Sequence, residues 1–173
     1  AQRERVALRA RGVCRGRVSG VRRSPRRGCS VEFFDYRAYG GLDHYIDRGY
    51  VAIDREKEAA SKTLEYAYDD WTIARMAETL GEQAIAKRFH ARAQNYRNTF
   101  DPGTGFMRAK KTDGQFRIPF DPAAVGYGSD YTEGNAWQYS WYVPHDPAGL
   151  IALLGGDLAL VSKLDQVFDA QVD

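Results

Sequence analysis

From Asp54 the apolar positions recur at intervals of three and four: Ala60, Leu64, Ala67, Trp71 and Ala74. That spacing predicts a helix with one face in the core. Tyr68, Ile73, Ala77 and Leu80 widen the face, so the helix reads as apolar around most of its circumference and deeply packed. Gly81 is placed as its C-terminal stop. A second helix follows at once, with Ile85, Phe89, Ala93, Tyr96 and Phe100 on its face and Asp101-Pro102 as its end. The short connection reads as an antiparallel helical hairpin.

The periodicity then stops. Gly103-Thr104-Gly105 turns the chain, Phe106-Met107-Arg108 fits a short strand, and Asp113-Gly114 is a turn signal. Pro119, Pro122, Gly126 and Gly128 keep the backbone irregular as far as Asp130. Long irregular loops in helical domains commonly carry function. Helices resume with a short one from Asn135 to Val143, broken by Pro144. Asp146-Pro147 is a capping residue followed by Pro at the first helical position. Leu150 to Leu154 form the apolar turn of that helix and Gly155-Gly156 end it. Asp157 is read as the cap of a last helix with Leu160, Leu164, Val167 and Phe168 facing inward. Paired helices, turn-rich loops and little strand predict a mainly α fold, an α/α toroid or a piece of one, with at most a short β-hairpin.

Composition changes this picture at one end. Residues 1–30 hold ten Arg and one acid, a balance of +9, whereas residues 31–173 hold 15 basic and 22 acidic residues, a balance of −7. All 22 aromatics lie after residue 30. The Arg-rich segment 1–30 has no periodic apolar positions, so it is expected to be disordered and separate from the folded part, 31–173. A phosphate-binding arm or a plain solvated tail both fit it. The acidic balance of the folded part argues against nucleic acid as its partner. No run approaches the roughly 18 apolar residues of a membrane span, and Cys14 and Cys29 have no neighbours with which to bind a metal.

Candidate chemistry concentrates in Tyr131-Thr132-Glu133-Gly134-Asn135-Ala136-Trp137-Gln138-Tyr139-Ser140-Trp141-Tyr142. A carboxylate, two amides and several aromatics suit a sugar, whose apolar face stacks on rings while its hydroxyls take amides and acids. Glu133 stands at a loop-to-helix junction. It reads either as a general acid projecting into a cleft or as a residue capping a helix with a core Trp and Tyr. Asp70 shares its helical face with Tyr66, Ile73, Ala74 and Ala77. An acid in such company needs a partner: a structural hydrogen bond, or a substrate or metal. His145, just past the Trp-rich helix, either lines the same cleft or packs and caps.

These stretches resemble glycoside hydrolase family 92. The resemblance is carried by Ser61 to Trp71 (SKTLEYAYDDW) and Tyr131 to Tyr139 (YTEGNAWQY), together with Arg92 to Tyr96, Phe100-Asp101-Pro102, Thr104 to Arg108 and Val143-Pro144-His145-Asp146, in order and at matching spacing. It runs from about Gly41 to Phe168. The resemblance implies a calcium-dependent exo-α-mannosidase that inverts the anomeric centre, acting on a mannose-containing glycan, with α-1,2 linkages of N-glycans or mannans as the expected target. It implies a β-sandwich followed by an (α/α)6 barrel, of which this segment would be an inner fragment. Glu133 matches the family's general acid. Asn135, Trp137 and Gln138 fall on its active-site loop; His145 and Asp70 are further candidates for lining it, and Asn135 is the one candidate toward Ca²⁺.

The family's general-base aspartates are expected beyond Asp173, so the segment reads as a fragment that lacks the base and is inactive alone. Leu160, Leu164 and Phe168 would then be left without partners. Full-length members are expected to be secreted or periplasmic. Two other readings stand beside this one. The first is an inert product or a glycan-binding remnant. The second is an (α/α)6-barrel glycosidase with another second carboxylate.

Overall fold

The computed structural model describes residues 40–126 and 129–170, all within one compact unit, Asp35–Asp173. The expectations for residues 1–30 lie outside the described residues. The order of elements is α1 (Leu42–Arg48), α2 (Ala59–Thr79), α3 (Gln83–Ala93), a 3₁₀ helix (Gln94–Thr99), β1 (Phe100–Asp101), β2 (Phe106–Met107), α4 (Ala136–Tyr139), α5 (Pro147–Leu154) and α6 (Asp157–Asp169). The two strands pair antiparallel, Phe100 opposite Met107 and Asp101 opposite Phe106. The fold is thus mainly helical with one small hairpin, as the periodicity predicts. No single helix among the described residues is long and apolar enough to cross a membrane.

α2 is the axis of the unit. Ala59, Ala60, Leu64, Ala67, Ala74 and Ala77 are buried along it, and α3 lies against it. Two apolar clusters meet on this helix. Tyr45, Val51, Tyr66, Phe106, Ala109, Tyr131 and Ala136 form one; Leu64, Ala67, Tyr96, Phe100, Met107, Val143 and Leu150 form the other. Small residues on the inner face let neighbouring chain approach closely, and large aromatics from the loops fill the rest.

Several boundaries differ from the sequence expectation, each for a physical reason. α2 starts at Ala59, not Asp54, because the Asp54 carboxylate is engaged elsewhere: it accepts from Thr112 N at 2.9 Å and Thr112 Oγ1 at 2.9 Å. Its circumference is only half buried, with Ile73, Met76 and Leu80 exposed. α3 ends at Ala93, where the chain tightens into the 3₁₀ turn, and Phe100 passes into β1. The helix expected over Asn135 to Val143 is the single turn Ala136–Tyr139. Gly156, not Asp157, precedes α6, and Leu164 and Phe168 face outward, the latter 85 % exposed. α1 has no counterpart in the sequence reading; it is short and bounded by left-handed glycines, Gly41 and Gly49.

The hairpin is held by charge. Asp101, beside the turn, accepts from Gly103 N at 3.0 Å, Thr104 Oγ1 at 2.9 Å and the buried Arg108 guanidinium at 2.6 Å. Burial raises its pKa, but Arg108 and the two other donors outweigh that and hold the carboxyl below its ordinary value. In acid the unfolded chain then binds more protons than the folded one, so this contribution is complete above about pH 4 and is lost as pH falls through the lowered value. We expect folding stability to decline on acidification below that point. Asp101→Asn should be less stable at neutral pH and flatter on the acid side, as urea melts across a pH series would show.

Candidate active site

The sequence 129–142 is fixed to α2 before it forms any helix of its own. The first N–H groups of a helix have no partner within it. Here Glu58 N donates to Ser129 O at 3.2 Å, and Ala60 N to Asp130 O at 3.0 Å. Ser61 then contributes its side chain: Thr132 N donates to Ser61 Oγ at 3.0 Å, and the two hydroxyls lie 3.0 Å apart. Tyr139 reaches back to Thr132 O at 2.8 Å, its ring stacked on Tyr131 at 5.6 Å. Tyr142 donates to Glu65 Oε2 at 2.8 Å, one turn further along α2.

The other end of the turn is anchored by α4. Asn135 Oδ1 accepts from Gln138 N at 3.2 Å, and Gln138 Oε1 accepts from Asn135 N at 3.0 Å, a reciprocal capping box. Gly134 is required beside it, since a Cβ there would lie 2.7 Å from Gln138 Oε1. Glu133 therefore stands between two fixed points, Thr132 and Asn135. It is exposed and takes φ 49°, in the left-handed region that costs a non-glycine residue about 1–2 kcal/mol. Upstream, a cleft of about 360 Å³ opens beside the turn, lined in part by Arg117, Phe120, Asp121, Ser129, Asp130 and Tyr131. The Arg117–Asp130 ion pair at 2.7 Å forms part of its wall.

The remaining candidates divide between this turn and other places. Trp137 is half-buried with its ring edge-on to Phe106 at 4.7 Å, next to the turn. His145 joins a different group: its ring lies near Tyr68, Trp71 and Tyr96, and Nε2 is 2.9 Å from Ala93 O. Asp70 is buried in a structural network, accepting from Tyr45 at 2.7 Å and from Arg92 at 2.9 Å through both Nε and a terminal nitrogen. Burial pushes its carboxyl pKa up, against the pull of Tyr45 and Arg92. The structural-partner alternative for Asp70 is the one its contacts fill.

Two further residues belong to the site's frame. Ser61 holds the turn from the first turn of α2; it opens the SKTLEYAYDDW motif, and nothing local marks it as an anchor. Lys163, on α6, packs over Phe106 and Trp137. Its signal was its spacing, three after Leu160 and four before Val167, on the face of apolar residues. As for calcium, no group of three or more His, Cys, Asp or Glu among the described residues could hold a metal ion, and the Asn135 amide oxygen is engaged by the cap. These residues do not by themselves fit a calcium ion, which takes six to eight oxygens.

Residues 21–173 match the glycosyl hydrolase family 92 catalytic domain, and the chain belongs to that family. The matched span starts at Val21, inside the Arg-rich stretch and ahead of the motifs that begin near Gly41. A protein of the fungus Arthroderma benhamiae, described as an uncharacterized secreted glycosidase, is 26 % identical over 147 residues, covering 73 % of this chain and 19 % of its own. Among solved structures, a family 92 inverting mannosidase from Bacteroides thetaiotaomicron is 46 % identical with a TM-score of 0.68, over 72 % of this chain and 17 % of that one. An α-mannosidase of the family from the same bacterium is 41 % identical with a TM-score of 0.73, over 80 % of this chain and 20 % of that one. Its complex with mannoimidazole gives 39 % and 0.74, over 81 % and 21 %. The chain thus spans about a fifth of the length of these relatives.

The backbone at Glu133 yields a direct test. Glycine there relieves the left-handed cost but adds about 0.4–1 kcal/mol of unfolded-state freedom. Glu133→Gly should therefore leave the fold at least as stable, with a net gain of up to about 1.6 kcal/mol, whereas Glu133→Gln should leave stability unchanged. Urea denaturation of the two variants measures this. A destabilised Glu133→Gly would mean that the side chain itself supports the fold.

Proposed function

We propose that this segment carries the proton-donating half of an inverting exo-α-mannosidase, and that Glu133 is its general acid. One observation supports the reading above the rest. A carboxylate stands exposed on a backbone conformation that disfavours it, while Thr132 on one side and Asn135 two residues on are pinned. Strain of this kind concentrates where geometry matters for chemistry. That the similar structures are mannosidases supports the substrate class.

On this reading the glycosidic oxygen of a terminal mannoside comes within hydrogen-bonding reach of the Glu133 carboxyl, which gives it a proton as the bond to the anomeric carbon breaks. A second carboxylate, supplied from outside this segment, takes a proton from water on the opposite face of the ring as the water oxygen bonds to the anomeric carbon. Inversion asks for about 6.5–9.5 Å between the two carboxyl groups, enough for that water. Trp137 offers apolar ring surface to the sugar, and Gln138, whose Oε1 is held by the cap, has its amide N–H groups left to donate to hydroxyls. Preference for α-1,2 linkages and secretion of the complete protein belong to the same proposal; the secreted fungal relative supports the latter. The described residues do not by themselves form a calcium site.

The test uses a protein containing the complete catalytic domain. Glu133→Gln should lower turnover of mannobiose by about 10²–10⁴-fold. The loss should shrink on an aryl α-mannoside whose leaving group needs little protonation. Equal losses on both substrates would assign Glu133 a structural role instead.

A further inference from the structure

α6 buries one side chain, and that side chain is a lysine. Lys163 is 9 % exposed, whereas Leu158, Val161 and Phe168 on the same helix are 87 %, 53 % and 85 % exposed. Its Nζ sits 3.4 Å from the centre of the Phe106 ring and 4.8 Å from that of Trp137. It forms no hydrogen bond or ion pair among the described residues. On the two elements it covers, Asp101 of the hairpin is taken by Arg108 and α4 (Ala-Trp-Gln-Tyr) carries no charge; the acids of its own helix, Asp157, Asp165 and Asp169, are exposed. A cation in such a place is held by the negative faces of the rings.

We propose that Lys163 is a positioning residue for the turn that bears Glu133, clamping the Trp137 indole from above and tying α6 to β2 and α4. An apolar side chain would fill the same volume, but it would slide over two rings set edge to face. An ammonium prefers the ring centres, so it fixes where the indole lies as well as that it is covered. Partial burial also holds the Lys163 pKa below the ordinary lysine range. That the positioned indole serves a sugar rests on the proposed mannosidase activity; the clamp itself does not.

The experiment therefore reads the clamp without any assay of activity. Trp71→Phe and Trp141→Phe leave Trp137 as the sole indole of the chain. In that background, alkaline titration should change Trp137 emission at a pH below the ordinary lysine value of about 10.4, and Lys163→Met should abolish that step. Lys163→Met should also raise quenching of Trp137 by acrylamide, and Lys163→Arg should restore protection. A double-mutant cycle of Lys163→Met with Trp137→Leu should give a coupling of roughly 2- to 30-fold in the folding equilibrium, the range for cation–π contacts. If Lys163→Met fails to fold, acrylamide quenching of Trp137 in Lys163→Gln, set against Lys163→Arg, decides in its place. Emission that does not titrate before ordinary lysines, or equal quenching in the Met and Arg variants, would overturn the clamp. Loss of mannosidase activity in Glu133→Gln bears on the other proposal and leaves this one standing.

Discussion

The first turn of α2 needs acceptors, and the chain supplies them from seventy residues away. Glu58 and Ala60 donate their N–H groups to the carbonyls of Ser129 and Asp130, and Ser61 adds its hydroxyl to Thr132. A helix start left bare in this interior would be costly. Meeting that need brings the Glu133 turn against the longest helix of the unit, and nearly every other feature of the site follows from the placement. Tyr131 and Tyr139 stack because the two ends of the turn have been drawn together. The cleft beside Arg117 and Asp130 exists because the strand-poor loop must travel back to this point.

The support is layered by stiffness. The backbone-to-backbone bonds at the α2 start fix position, the Asn135–Gln138 box fixes direction, and the aromatic group of Phe106, Trp137 and Lys163 fixes the far side. Local rigidity of this sort is what holds a catalytic group in productive geometry. Asp70 and His145 are also polar groups in apolar company, and both have partners within the scaffold. Asp70 satisfies Tyr45 and Arg92, and His145 bonds to the last carbonyl of α3.

Much of this could be read along the chain, because helices announce themselves by period and caps. The stop at Gly81, the Asp146-Pro147 start and the turn at Gly155-Gly156 are local signals, and each stands where expected. What could not be read was decided by distant contacts. Asp54 reads as a helix start, but Thr112 claims its carboxylate. Ile73 and Leu80 fit an inner stripe, but no neighbour among the described residues covers them. The position of Glu133 was legible as a junction; its left-handed backbone was not, since that results from anchoring at Ser61 and Asn135. Lys163 was hidden because a lysine on an apolar face reads as an ordinary exception until the two rings beneath it are seen.

The left-handed conformation at Glu133 also has a genetic side. Either glutamate codon becomes a glycine codon by a single transition at its second base. The product of that change would suit this backbone better than the residue it replaced, so the protein would fold, persist and escape the quality control that removes damaged chains. At most positions a harmful substitution betrays itself through instability. Here one readily accessible substitution would remove the carboxyl group proposed as the general acid while easing the backbone, and only selection for that proposed reaction could oppose it.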